Sequence, residues 1–238
     1  LALGFAVNGR VARAAAIRKG GMRAGDALIL TKPIGTGTLL AAHMRGKARA
    51  RWVMGAIAQM IHSNAKAAEI LRGHGVHAAT DVTGFGLVGH LVEMVRASDV
   101  DVTVALECVP LLDGARETVA MGIFSSLQPQ NVRLRRAIRD VETAGKHPLY
   151  PLLFDPQTAG GLLAAVPLAA AQTCLAALRA TGYADAAIIG LVNARSAALE
   201  PVTLDLTGDR LAQAPWRGYD QHGTHAAVHD AATEETVH

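Results

Sequence analysis

Aromatic side chains are scarce in this chain: four Phe, three Tyr and two Trp in 238 residues. Surfaces that bind nucleic acid by stacking bases need such rings, so no nucleic-acid partner is expected. Cysteine is scarcer still. Cys108 and Cys174 lie far apart and lack C-x-x-C spacing, which gives neither a disulfide framework nor a thiolate metal site and suits a reducing, cytoplasmic setting. Long apolar runs are missing too. The Ala/Val/Leu-rich stretches are cut by Gly, Pro or charge well short of the ~20 residues a membrane helix needs. The opening Leu1-Ala2-Leu3-Gly4-Phe5 has neither a secretory leader pattern nor an initiator Met, and reads as the middle of a longer protein.

Hydrophobic residues make up 50% of the chain and charged ones 18%, with a net charge of +3. A sizeable core is therefore expected. The basic clusters at 45–51 and 133–139 read as solvated helix faces.

Strand and helix patterns alternate, which predicts an α/β (α+β) fold with a mixed β-sheet packed by helices and leaves the strand order open. Strands are expected over 27–31, 76–82, 102–106, 161–166, 186–192 and 202–206. Helices are expected over 38–44, 87–97, 111–122, 130–144 and 168–181. A longer helix over 52–72, about 30 Å at helical rise, would bury Val53, Ile57, Met60, Ala67 and Leu71, with Asn64 in the middle of that face. Three regions follow: residues 1–24, reading as strand, turn and polar connector; a folded domain over 25–206; and a tail over 207–238. The tail carries His222, His225, His229 and His238 without apolar periodicity, the composition of a disordered extension.

The segment Ala79-Thr80-Asp81-Val82-Thr83-Gly84-Phe85-Gly86-Leu87-Val88-Gly89-His90-Leu91 holds the most chemistry. It joins a strand to a helix through a glycine turn, with one carboxylate at the junction. Glycines let backbone approach a ligand closely, and helix N-termini favour anions. Asp81 repels a phosphate unless a cation lies between them, so the segment suggests a metal-bridged phosphate site, the alternative being a strand-end Asp81 that caps the N–H groups of the turn. A rival reading takes Gly84-x-Gly86-x-x-Gly89 as a dinucleotide fingerprint, with Glu107 as the ribose-binding acid. Only one such unit is legible, and Asp81 sits where a pyrophosphate would meet it.

Other candidates carry their own alternatives. Asn64 is either bonded within the core or lining a cleft, because an unpaired buried amide costs a few kcal/mol. Lys32 pairs with phosphate or is simply solvated. Asp155 and Thr158 precede Gly160-Gly161 and form either a ligand-facing loop or a cap. His90 and Glu93 read as a surface pair, and Cys108 as structural, with nothing nearby to lower its pKa.

Four segments together resemble the selenophosphate synthetase (selenide, water dikinase) family of the aminoimidazole-ribonucleotide-synthetase-like superfamily. Residues 80–90 resemble its TDVTGFGLxGH signature, and Thr31-Lys32-Pro33-Ile34-Gly35-Thr36-Gly37 its TKPLGTG. His62-Ser63-Asn64-Ala65-Lys66 is similar to its Asn-bearing helix. Asp155-Pro156-Gln157-Thr158-Ala159-Gly160-Gly161-Leu162-Leu163 is similar to DPQTSGGLL, with Ala159 where Ser is usual.

The resemblance implies a C-terminal portion of an enzyme that turns ATP, selenide and water into selenophosphate, AMP and phosphate. It implies Asp81 as a Mg²⁺ ligand of Mg–ATP; Thr80, Thr83, Gly84, Gly86, Asn64, Lys32, Asp155 and Thr158 are the candidate nucleotide or phosphate contacts. It further implies a homodimer, with the reactive Cys or selenocysteine in a domain upstream of Leu1, so that this portion would be inactive alone. If the site is shared in this way, Asp81, Asn64 and the 155–161 loop should converge on one opening edged by exposed apolar surface.

Overall fold

Asp26–Leu30 (β1) is buried along its whole length, as a strand must be when it lies inside a sheet covered on both faces. It is the third of six strands in the computed structural model, which describes residues 6, 8–12 and 16–207. The others are β2 (Ala78–Asp81), β3 (Asp101–Ala105), β4 (Leu162–Pro167), β5 (Ala187–Asn193) and β6 (Val202–Asp205). Their order is β2-β4-β1-β5-β3-β6. Neighbours are antiparallel except β3 and β6, which run parallel. The sheet is thus mixed and flanked by helices, the expected class.

Side chains alternate between two cores, as the strand period of two requires. Leu28, Leu30, Ala78, Leu163, Ala165, Val102 and Val104 join the larger one, with Leu87, Leu91 and Phe154. Ile29, Ala164 and Val166 join the smaller one, with Ala67, Leu71, Cys174 and Leu178. Helices α3 (Ala65–Gly73) and α8 (Leu168–Ala180) supply the smaller core, and α4 (Gly86–Ser98) lies in the larger. The remaining helices are α1 (Thr36–Met44), α2 (Ala50–Ile61), α5 (Ala115–Ala120), α6 (Gln128–Asn131) and α7 (Val141–Ala144).

Two expectations need correction. The single helix over 52–72 is two helices, α2 and α3, parted at His62, whose ψ of 117° is extended. Tertiary bonds hold the break: the Tyr183 hydroxyl donates to the Ser63 carbonyl at 2.7 Å and accepts from the Ala67 amide at 2.9 Å. The buried residues of α2 are consequently Trp52 and Ala56, and Ile57 is 38% exposed.

The helix expected over 130–144 is also interrupted, by a 3₁₀ turn at Val132–Ala137. Ile138 then turns extended to bridge Val202, and the Arg139 amide donates to the Val202 carbonyl at 2.9 Å. Ahead of β1, Arg18 offers its carbonyl to the Ala79 amide of β2 at 2.9 Å. The expected tail beyond residue 207 lies outside the described residues, as do residues 1–5, 7 and 13–15.

Candidate functional site

Asp81 ends β2 and is exposed. Its backbone faces Leu162 at the start of β4, and the next amide, Val82 N–H, donates to the Gly161 carbonyl at 2.8 Å. The loop before β4 therefore lies directly against the Asp81–Gly84 turn. Two further bonds tighten this contact. The Gln157 amide donates to the Thr83 carbonyl at 2.9 Å, and Asn64 Nδ2 donates to the Gly160 carbonyl at 2.8 Å. A side chain at Gly160 would overlap the Val82 carbonyl oxygen, so only glycine permits this approach.

Asn64, the 160–161 turn and the Asp81–Thr83 segment are thus brought together, although Asn64 and Gly160 lie 96 residues apart along the chain. Asn64 takes its place from the α2–α3 break, where it precedes the first turn of α3. Its Oδ1 is buried without a partner among the described residues. The Asp81 carboxylate makes no hydrogen bond or ion pair among the described residues. Its charge reaches His90, whose pKa burial lowers while Glu93 and Asp81 pull it upward.

The other predicted residues fall into different roles. Thr80 is buried, and its hydroxyl makes one long bond, 3.3 Å, to the Asp81 carbonyl. The Thr83 hydroxyl meets His90 Nε2 at 3.2 Å. The Gly84 carbonyl accepts from Asn131 Nδ2 at 2.8 Å. Gly86, at φ 70°, has the backbone of Leu153–Asp155 against its Cα, and a Cβ there would come within 2.8 Å of the Phe154 carbonyl carbon. Close helix–loop packing therefore requires glycine at this position. His90 is not on the outer surface but 5% exposed, because α4 is covered along most of its circumference.

Asp155 is buried at 1% exposure and takes the capping role that its place in the sequence also allowed. Its Oδ2 accepts from the Gly37 amide at 3.0 Å and from Gln157 Nε2 at 3.0 Å. Burial drives its pKa up to about 7, against the downward pull of Gln157 and the amides of Gly37 and Thr38.

Gln157, which sequence reasoning missed, completes this cap. Its Oε1 accepts from the amides of Gly35 and Thr36, at 2.9 and 3.1 Å, and from the Thr36 hydroxyl at 3.1 Å. The first amides of α1 are therefore satisfied from within the protein, as a buried helix start requires. The only sequence signal for this role was the position of Gln157 between Asp155 and the glycines.

Lys32 is 2% exposed rather than solvated, and its ammonium donates to backbone carbonyls.

A depression of about 340 Å³ lies beside this assembly, bounded in part by Gly84, Gln157, Thr158, Met44 and Leu127. Thr158 is exposed there. Met44 and Leu127 on the rim expose 82 and 49% of their surface, and Phe85, outside the lining, exposes 55%. Asp81 and Asn64 do not line this depression.

As a metal ligand Asp81 stands alone: no group of three or more His, Cys, Asp or Glu is placed for a metal among the described residues. A lone exposed carboxylate fits Mg²⁺ that arrives with substrate phosphates, since Mg²⁺ keeps waters and is commonly held by one or two carboxylates plus phosphate. The dinucleotide reading loses its frame. That fold needs a parallel βαβ unit, whereas β2 is an edge strand paired antiparallel with β4 and β3 lies four positions away.

A family model described as AIR synthase related protein, C-terminal domain, matches residues 23–199. A selenide, water dikinase of Pelobacter propionicus is 39% identical over 192 residues, covering 81% of this chain and 55% of that relative. One of Clostridioides difficile is 36% identical over 191 residues, covering 79% and 54%. The chain thus spans about half the length of the curated relatives it matches.

Among solved structures, the hydrogenase maturation protein HypE aligns with a TM-score of 0.60 at 20% identity, covering 80% of this chain and 52% of that one. Thiamine-monophosphate kinase from Stenotrophomonas maltophilia aligns at 0.55 and 18%, covering 82% and 54%. These two likenesses concern the fold. From the family match and the sheet topology together, the chain belongs to the AIR synthase related proteins, as their C-terminal domain.

Proposed function

We propose that this domain is the C-terminal portion of a selenide, water dikinase, the enzyme that makes selenophosphate, AMP and phosphate from selenide, ATP and water. In this reading Asp81 holds the Mg²⁺ that accompanies ATP. The observation that carries it is the exposed Asp81 carboxylate, without a protein partner among the described residues, on a strand end braced by two distant segments. The dikinase names of relatives at 36 and 39% identity support the reaction. A HypE crystal structure in complex with ATP, at a TM-score of 0.54 and 18% identity, is consistent with nucleotide use on this fold.

Bound Mg²⁺ would neutralise charge on the crowded phosphates as they react. The protein's part here is to hold one carboxylate at a fixed point. Burying the backbone of Val82 under Gly160 and bonding it to Gly161 does so without covering Asp81. The remaining Mg²⁺ ligands, the nucleophile and the selenide site belong in this reading to the rest of a longer polypeptide, which acts as a cytoplasmic homodimer. This portion alone is then inactive.

The test is Asp81→Asn in the full-length polypeptide, assayed for selenide-dependent AMP formation across a Mg²⁺ titration. Loss of a direct ligand should cut the rate at limiting Mg²⁺ by about a hundredfold, the ~3 kcal/mol scale of a charge-stabilising contact in a transition state. A near-normal rate at limiting Mg²⁺ removes Asp81 from the reaction.

A further inference from the structure

Lys32 follows β1 and is buried beneath the site, with no carboxylate among its hydrogen-bond partners. An ammonium carries three donors, and each finds a backbone carbonyl: Gln59 at 3.1 Å, His62, and Ala159 at 3.3 Å. Gln59 is in the last turn of α2 and His62 is its C-cap. The carbonyls at a helix C-terminus lack intrahelical donors and carry the negative end of the helix dipole, so a cation is favourable there. Lys32 thus ends α2 at the point where Asn64 begins α3.

The third carbonyl links this cap to the candidate site. Ala159 has φ 48°, a left-handed conformation that costs a non-glycine residue on the order of 1 kcal/mol or more, and its carbonyl is held by Lys32. The next carbonyl, Gly160, is held by Asn64; the one after, Gly161, accepts from Val82 N–H. Three consecutive carbonyls are therefore fixed by Lys32, Asn64 and Val82 in turn, and the last bond adjoins Asp81.

We propose that Lys32 is a positioning residue: its tethered ammonium locks the Ala159–Gly161 turn to the end of α2 and thereby sets where the Val82 backbone holds the Asp81 carboxylate. The part of this that concerns metal rests on reading Asp81 as the Mg²⁺ ligand. Burial lowers the pKa of Lys32, yet three carbonyl acceptors in a helix C-terminal field favour the charged form. A phosphate seeking this ammonium would have to displace all three, which separates Lys32 from residues that contact substrate.

The experiment uses the full-length polypeptide with Lys32→Ala and Lys32→Met, beside Asp81→Asn. Three readouts are taken: the Mg²⁺ concentration for half-maximal rate, hydrogen exchange at the Val82 amide, and the response to added methylammonium. Residues that orient a metal ligand typically change affinity or activity 10–100-fold when removed. Both Lys32 variants should therefore raise the half-saturating Mg²⁺ at least ~10-fold, with a smaller fall in rate at saturating Mg²⁺, and should speed Val82 exchange at least ~10-fold.

Methylammonium should restore Lys32→Ala, which leaves room for it, and not Lys32→Met, which fills the space. Unchanged Val82 exchange, or loss without methylammonium rescue, overturns the proposal. So does failure of both variants to fold even with methylammonium, because Lys32 would then support the whole domain rather than one turn. If Asp81→Asn leaves the Mg²⁺ titration unaltered, the metal reading fails. Val82 exchange and its rescue then still decide the brace.

Discussion

Replacing Asp155 by Asn should change how stability depends on pH, and the direction follows from burial. The carboxyl has a pKa of 3.8 when free and of about 7 in the fold, because desolvation outweighs the bonds from Gln157, Gly37 and Thr38. The folded state therefore binds the extra proton between about pH 4 and 7, and the unfolded state does not. Stability contributed by protonated Asp155 is complete below about pH 4, is lost as pH rises through about 7, and is flat above that. The rise from 3.8 to about 7, at ~1.4 kcal/mol for each tenfold change in proton affinity, sets an upper bound of ~4 kcal/mol for this loss.

An asparagine in place of Asp155 keeps an oxygen for the Gly37 amide and cannot ionise, but it turns an NH₂ toward the buried position where Oδ1 has no partner. Leaving that donor unsatisfied costs about 1–3 kcal/mol. The variant should thus be less stable than the parent at about pH 4.5 and equal or more stable at about pH 8. Urea midpoints across that range measure the crossing, and the ¹³C shift of the Asp155 carboxyl locates its titration. Parallel midpoint curves for the two proteins, or a carboxyl that titrates near its free value, would refute the reasoning.

Two further substitutions probe the frame of the site. Tyr183→Phe removes both the donor to the Ser63 carbonyl and the acceptor for the Ala67 amide; it should cost about 1–3 kcal/mol, read by urea denaturation, with exchange rising first at the Ala67 amide. Gly86→Ala places a methyl 2.8 Å from the Phe154 carbonyl carbon at φ 70°; left-handed strain and overpacking should together cost about 2–4 kcal/mol in the same assay, and a neutral result would remove Gly86 from helix–loop packing.

Periodicity foretold the strands because burial on alternate faces imprints a period of two. Leu28 and Leu30 enter one core and Ile29 the other, and the expected strand at 27–31 differs from β1 by one residue at each end. The α2–α3 boundary was invisible for the opposite reason. Helical spacing runs unbroken through residues 52–72, and the break is held by the Tyr183 hydroxyl and the Lys32 ammonium, from positions 120 and 30 residues away. His90 misled in the same way, since its single turn of α4 reads as polar while the fold covers it.

The sequence by itself determined the sheet-and-helix class, because that follows from local spacing of apolar side chains and glycines. It also marked the segments that meet at the site: the strand end at Asp81, Asn64, the TKPIGTG turn and the DPQTAGG loop. What each residue does there was decided only by the tertiary structure. A carboxylate reads the same in sequence whether it is exposed, as Asp81 is, or buried under a helix start, as Asp155 is. An ammonium reads the same whether it meets solvent or three carbonyls. Desolvation and hydrogen-bond partners come from chain segments that local sequence does not specify, and they set the charge and reach of each group.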